Sequence, residues 1–133
     1  MASKSQLLKT FLNQINDFIE DLLSIYEEDK VLLRGKLYFD GLRKANPSFI
    51  IKVWHNRITV KYGHCIEKGE VEQFLTKDLS DDLKDASAPD INMCVSQFQN
   101  MMIKIFDMSD DNKEKSIRYI QNCVKLSKMY FNT

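Results

Sequence analysis

Between Leu7 and Tyr26 the apolar side chains recur in steps of three and four. Leu8, Leu12, Ile15, Ile19, Leu22 and Tyr26 form the series, flanked by Leu7, Phe11, Phe18 and Ile25. An α-helix turns once every 3.6 residues, so this spacing draws one broad stripe along a helix and fits no strand. The stripe is wider than the seam of a two-stranded coiled coil, so the helix it predicts packs within a bundle. Ser3-Lys4-Ser5-Gln6 supplies the start, with Ser3 at the N-cap and Gln6 placed to close a capping box. Gly and Pro number only 4 and 2 in 133 residues. All-β folds use both heavily at their turns, so the scarcity extends the helical expectation along the chain.

A second helix is expected over about residues 30–45, with Leu32, Leu33, Leu37, Tyr38, Phe39 and Leu42 as its apolar positions. Gly35 and Gly41 weaken it, each by ~1 kcal/mol relative to alanine. Asn46-Pro47 reads as a cap followed by proline at the first helical position. Phe49–Tyr62 is ambiguous. As a helix it carries the row Ile50, Trp54, Ile58 and Tyr62. As strands, Ile58, Val60 and Tyr62 alternate with Arg57, Thr59 and Lys61, and His55-Asn56 would be the turn of a hairpin. Helix to about residue 60 is the favoured reading, because a lone hairpin amid helices is marginal. Lys68-Gly69 is a helix stop, Val71–Leu75 a short helical turn and 76–90 a polar loop. Pro89 begins the next helix, whose face holds Ile91, Cys94, Val95, Phe98, Met101, Met102, Ile105 and Phe106. Ser109 caps the last one, with stripe residues Ile117, Ile120, Cys123, Val124, Ser127 and Phe131. Asp110 and Asp111 suit its N-terminal end, and Lys125 and Lys128 its C-terminal end. The short connection Asp107–Ser109 predicts that the last two helices pair as an antiparallel hairpin. The expected fold class is therefore all-α: a single domain over residues 1–133, a compact bundle of about five helices, with a β-hairpin at Phe49–Tyr62 as the alternative.

Cys65, Cys94 and Cys123 are odd in number and widely spaced, which points to a reducing compartment rather than a secreted disulfide scaffold. No apolar run approaches the ~18 residues of a membrane span, and the start of the chain lacks a signal-peptide pattern. The expected location is cytosolic or nuclear, not secreted and not in a membrane. The formal net charge is zero but unevenly distributed. Residues 1–29 carry two lysines against six acids, and residues 63–90 three lysines against eight acids. Between them, residues 30–62 carry eight cations against Asp40 alone. Such a basic middle either meets an anionic partner or is neutralised by the flanking blocks within the fold.

Catalytic chemistry finds no motif. There is no G-x-S-x-G, no glycine-rich phosphate loop and no H-E-x-x-H. His64 and Cys65 are adjacent and would point ~100° apart on a helix, so a Cys/His dyad needs tertiary contacts. His55, His64, Cys65, Cys94 and Cys123 are too scattered for paired zinc spacings. A calcium loop starting at Asp107 fails because Asn112 and Arg118 stand where glycine and glutamate are required. The acids Asp78, Asp81, Asp82 and Asp85 read as a solvated loop. No cofactor and no metal are expected. Two binding readings remain. Methionine-bearing and broadly apolar helix faces suit a protein partner, either a second copy or another protein. The basic segment 30–62, with Tyr38, Phe39, Trp54 and Tyr62 interleaved, suits nucleic acid as the alternative. The cations proposed to meet a partner are Arg34, Arg43, Lys44, Arg57 and Lys61.

Four stretches carry a resemblance: Ser3-Lys-Ser-Gln-Leu-Leu-Lys-Thr-Phe11, Arg43-Lys-Ala-Asn-Pro-Ser-Phe-Ile-Ile-Lys-Val-Trp54, Val71-Glu-Gln-Phe-Leu-Thr-Lys-Asp78 and Asn112-Lys-Glu-Lys-Ser-Ile-Arg-Tyr-Ile-Gln121. Together they resemble short uncharacterised helical proteins encoded by large DNA viruses of algae and other protists. The resemblance spans most of the chain and is structural in character, bringing no catalytic residues. It implies a viral protein, working in the host cytoplasm or nucleus or packaged in the virion. It also implies helix rather than hairpin at Phe49–Tyr62. The combined expectation is a non-catalytic helical assembly or adaptor module that engages itself or another viral or host protein.

Overall fold

The computed structural model describes residues 2–70 and 88–133. Its elements are α1 (Lys4–Ile25), α2 (Lys30–Ala45), α3 (Pro47–Trp54), a π turn (His55–Thr59), α4 (Val60–Glu67), α5 (Pro89–Ile103), a 3₁₀ turn (Lys104–Asp107) and α6 (Asp110–Phe131). The segments α3, π turn and α4 follow without a break and form one rod. The fold is thus a bundle of five helices, with no strand among the described residues. The turn predicted at Val71–Leu75 and nearly all of the loop predicted at 76–90 lie outside the described residues.

The ends of these helices follow from local chemistry. Ser3 Oγ accepts from the Gln6 amide at 3.2 Å while Gln6 Oε1 accepts from the Ser3 amide at 2.9 Å, the full capping box. Asp29 caps α2 by accepting from the Val31 and Leu32 amides. Gly69, at φ 78°, ends α4. Its amide bonds the Ile66 carbonyl and the Glu70 amide that of Cys65, the two bonds of a Schellman motif. Ser109 caps α6 through the Asn112 amide.

Phe49–Tyr62 is helical throughout. Strand alternation would have buried Val60 and exposed Thr59. The reverse holds, with Thr59 buried and Val60 67% exposed. The rod occupies the centre of the bundle, where α3 touches α1, α2, α5 and α6. Trp54 meets Phe11 of α1 and Phe98 of α5 edge-on, at ring separations of 6.1 and 5.1 Å. The π turn has a geometric cause. Residues four apart on an α-helix drift by ~40° per step, so a row from Ile50 through Trp54, Ile58 and Tyr62 to Ile66 would wander off any single face. A turn closed five residues back, with the Val60 amide donating to the His55 carbonyl, underwinds the helix at mid-length. Ile50, Trp54, Ile58 and Ile66 are all buried, and Tyr62 packs against the core.

The long helices α1 and α6 make the most extensive pairing among the described residues. Leu7, Phe11, Leu12, Ile15, Phe18, Ile19 and Leu22 form the buried stripe of α1. On α6 it is Ser116, Ile120, Cys123, Val124, Ser127 and Tyr130. Tyr130, rather than the expected Phe131, ends that line. The predicted antiparallel hairpin of the last two helices is corrected. α5 packs on α2 and α3, whereas α6 packs on α1, the π turn and α4. The 3₁₀ turn stands between the two helices, and Phe98 of α5 packs on Phe39 of α2 and Trp54 of the rod.

Candidate interaction surface

Among the described residues, three acids of the acidic blocks pair with cations of the C-terminal third of the chain. Asp29 pairs with Lys104 and Glu67 with Lys128 at 2.6 Å. Asp21 pairs with Lys115 at 3.0 Å and accepts from the Tyr119 hydroxyl at 2.8 Å. Lys104 beside it, together with the Leu32 amide, holds the Asp29 carboxyl below its ordinary range. Burial, reinforced by Asp21, pushes the Tyr119 hydroxyl up to about 12. From the basic middle, Lys36 is drawn into such pairing, bonding Glu20 at 3.0 Å and Asp40 at 3.2 Å. The hydrogen bond to Glu20 is the main cause of its raised pKa.

The five proposed cations do not form one patch. Arg34 and Arg43 are nine residues apart on α2, two and a half turns, and so face opposite ways. Arg43 turns toward α1, where its Nη2 donates to Asn13 Oδ1 at 2.7 Å. Arg34 points outward, its Nε donating to the Lys30 carbonyl at 3.3 Å. Lys44 is exposed on the same outer side. Arg57 lies half-buried on the π turn, and Lys61 is exposed on α4, engaged in an interaction of its own. Trp54 and Phe39 are buried in the core and thereby removed from any base-stacking role.

What α2 presents to solvent is a compact arc. Successive helical residues are rotated by ~100°. On that count Lys30, Leu33, Arg34, Leu37, Gly41, Lys44 and Ala45 fall within about a third of the circumference. All seven are exposed. Leu37 is 72% exposed and Leu33 42%. Lys30, Arg34 and Lys44 have no carboxylate partner among the described residues, and the arc contains no acid. Leu33 and Leu37 were expected among the apolar positions of α2, and their exposure was missed. The available signal was angular: Leu37 lies ~160° from Phe39, so the two cannot share a buried face. Beside the arc, Tyr38, Leu42, Asn46, Phe49, Asp90 and Met93 line an open groove of about 330 Å³ between α2, α3 and α5.

Elsewhere the polar groups serve packing. The Thr59 and Ser127 hydroxyls are 2.7 Å apart, and His55 Nδ1 is 3.2 Å from Ser127. Ser127 is 0% exposed, so this histidine–serine pair is closed to a substrate. His55 stacks on Phe131, and burial followed by the charge of Lys128 lowers its pKa. Burial pushes the Cys94 thiol up to about 12 and that of Cys123 upward as well, which makes both poor nucleophiles. Cys65 is half-buried and its neighbour His64 is exposed. Among the described residues no three His, Cys, Asp or Glu side chains converge on a metal position, and no helix is long and apolar enough to cross a membrane.

Compared with family models, curated proteins and solved structures, the chain matches none of them.

Proposed function

We propose that this chain acts by binding another protein, as a non-catalytic assembly or adaptor module, and that the outer arc of α2 is the surface it presents. The observation that supports the reading is the pair Leu33 and Leu37, exposed one turn apart amid three cations without carboxylate partners among the described residues. Apolar side chains held in water on a rigid helix gain stability when a partner covers them. The viral setting rests on the four stretches of resemblance alone. A photo-crosslinking amino acid at position 37 tests the reading in extract of cells that make the protein. Protein adducts are expected at position 37 and not at Ser96, an exposed position on α5. Equal labelling from the two positions, or adducts to nucleic acid, overturns it.

A second reading has a specific observation in its favour. Lys30, Arg34 and Lys44 on one exposed arc could contact phosphates, making the basic segment 30–62 a nucleic-acid surface. Its test is a salt titration of a fluorescent duplex and a fluorescent single strand. With about three phosphates neutralised, the logarithm of affinity for duplex falls with that of salt at a slope of about −2.7. Absence of binding at low salt ends this reading.

A further inference from the structure

Resting on the protein-binding reading, we infer that the ridge Leu33–Leu37–Gly41–Ala45 seats one helix of a partner protein, small or apolar along its contact line and acidic on its flanks.

The starting observation is a glycine without an internal reason. Glycine is, after proline, the residue most costly to a helix interior. In this chain the others have evident causes. Gly69 takes a positive φ, Gly35 lets Gln97 approach, and a Cβ on Gly63 would meet Val124 Cγ1 at 3.3 Å. A Cβ on Gly41 would meet nothing within 4 Å among the described residues, and its φ is not positive. Nothing described inside the fold needs Gly41 to lack a side chain. A body approaching from outside does.

The position of Gly41 says what shape that body has. Leu33, Leu37, Gly41 and Ala45 are spaced by four, so they form one of the ridges by which helices interlock. The ridge runs from large to small, Leu-Leu-Gly-Ala, and at Gly41 the helix backbone itself becomes the contact surface. A second helix crossing at about −50° fits such a ridge and comes closest at the glycine.

Charge selects the partner's flanks. Lys30 and Arg34 flank the leucines on one side of the ridge, and Lys44 flanks Gly41 and Ala45 on the other, with no acid in the arc. Asp40, the nearest carboxylate on α2, is held by Lys36. A second copy docked by the same arc would oppose cation to cation, which argues against self-association here. Phosphate backbone supplies charge but nothing for Leu33 and Leu37. Two leucines bury less than a single acyl chain, itself only a marginal membrane anchor. An acidic amphipathic helix satisfies both the ridge and the cations.

The test pans a display library of helical peptides against the immobilised full-length chain, with the Leu37→Asp variant for counter-selection. Enriched peptides are then measured by fluorescence anisotropy. The expected consensus carries Ala, Gly or Leu at i,i+4 with Asp and Glu on both sides. Binding weakens at least tenfold with Leu37→Asp, and weakens also with Gly41→Ala and with added salt. Thermal melting supplies the second arm. Gly41→Ala, which weakens peptide binding, raises Tm of the free protein by about 2–5 °C, because alanine favours helix and nothing described obstructs it. Enriched peptides that need Leu37 but are neutral or basic overturn the acidic partner and leave the protein-binding reading standing. No enrichment, or binding indifferent to Leu37, overturns both. Peptides that lose to anionic vesicles or to a nucleic-acid oligomer at the arc overturn the inference, as does a fall in Tm with Gly41→Ala, which would mean that the ridge is already covered within the chain.

Discussion

Helices α1 and α2 are neighbours, pack on one another and carry similar proportions of large apolar residues, yet they use them differently. On α1 the buried line from Leu7 to Leu22 absorbs nearly the whole apolar set, and Ile25 near its end is the one large hydrophobe left well exposed. On α2 only Leu32, Gly35 and Phe39 are buried, while Leu33 and Leu37 stand in water beside cations. The difference is angular rather than compositional. A stripe that drifts slowly around its helix becomes core; a set that spreads around the circumference leaves a remainder outside. That remainder, together with an unobstructed glycine, is where a function acting by contact would reside.

The comparison is sharpest for one substitution made at two leucines. Leu22→Ala on α1 leaves a cavity at a fully buried site and is expected to cost about 3–5 kcal/mol in urea unfolding. Leu37→Ala on α2 is expected within about ±0.5 kcal/mol of the parent. A large loss from Leu37→Ala would show that the outer arc contributes to the core after all. A hydroxyl pair gives a smaller contrast. Ser127→Ala strips Thr59 and His55 of their shared partner in the interior and should cost about 1–3 kcal/mol. Ser96→Ala, exposed on α5, should leave the unfolding midpoint unchanged.

The smallest effect is one of pH. Burial against Phe131, with Lys128 near, lowers the His55 pKa below its ordinary value of 6.5. Below pH 6.5 the unfolded chain therefore takes up the proton more readily than the folded one, and stability falls as pH falls. The loss is complete once the pH passes below the folded value. Urea midpoints between pH 7.5 and 5 should decline more steeply for the parent than for His55→Gln. Equal slopes would remove His55 from the account. Asp29 acts in a separate window: its lowered pKa gives stability that persists above its ordinary 3.8 and disappears in stronger acid.

Much of this architecture was legible in the residues. The caps at Ser3, Ser109 and Gly69, the stripes of α1, α5 and α6 and the proline starts all depend on neighbours in sequence, and the sequence states them directly. The pairing of α5 with α2 and α3 was not legible, because a short connection constrains where a helix begins and not which neighbour it chooses. Nor was the helical state of Phe49–Tyr62 decidable from pattern. Ile50, Ile51, Val53 and Trp54 are all buried, which blurs the periodicity that identifies a surface helix. The candidate surface was half legible. The basic middle directs attention to α2, but Arg43 bonds Asn13, Arg57 is half-buried and Lys61 is engaged, while the two leucines that distinguish the arc stand in the sequence only as apolar positions of the helix.

The π turn also sets the tolerance of the chain to changes in length. Upstream of it, α3 is keyed to α1, α2 and α5; downstream, α4 is keyed to α6. The turn acts as a phase adjuster between two locks. Deleting one residue between His55 and Thr59 would turn the five-residue closure into an ordinary four-residue one and leave α4 nearly in phase with α6. The same deletion at Lys61 or Tyr62, with the π turn kept, would rotate the rest of α4 by about 100°, taking Gly63 from Val124 and Ile66 out of the interior. A position can be lost at this turn more cheaply than from the α-helical stretches on either side of it.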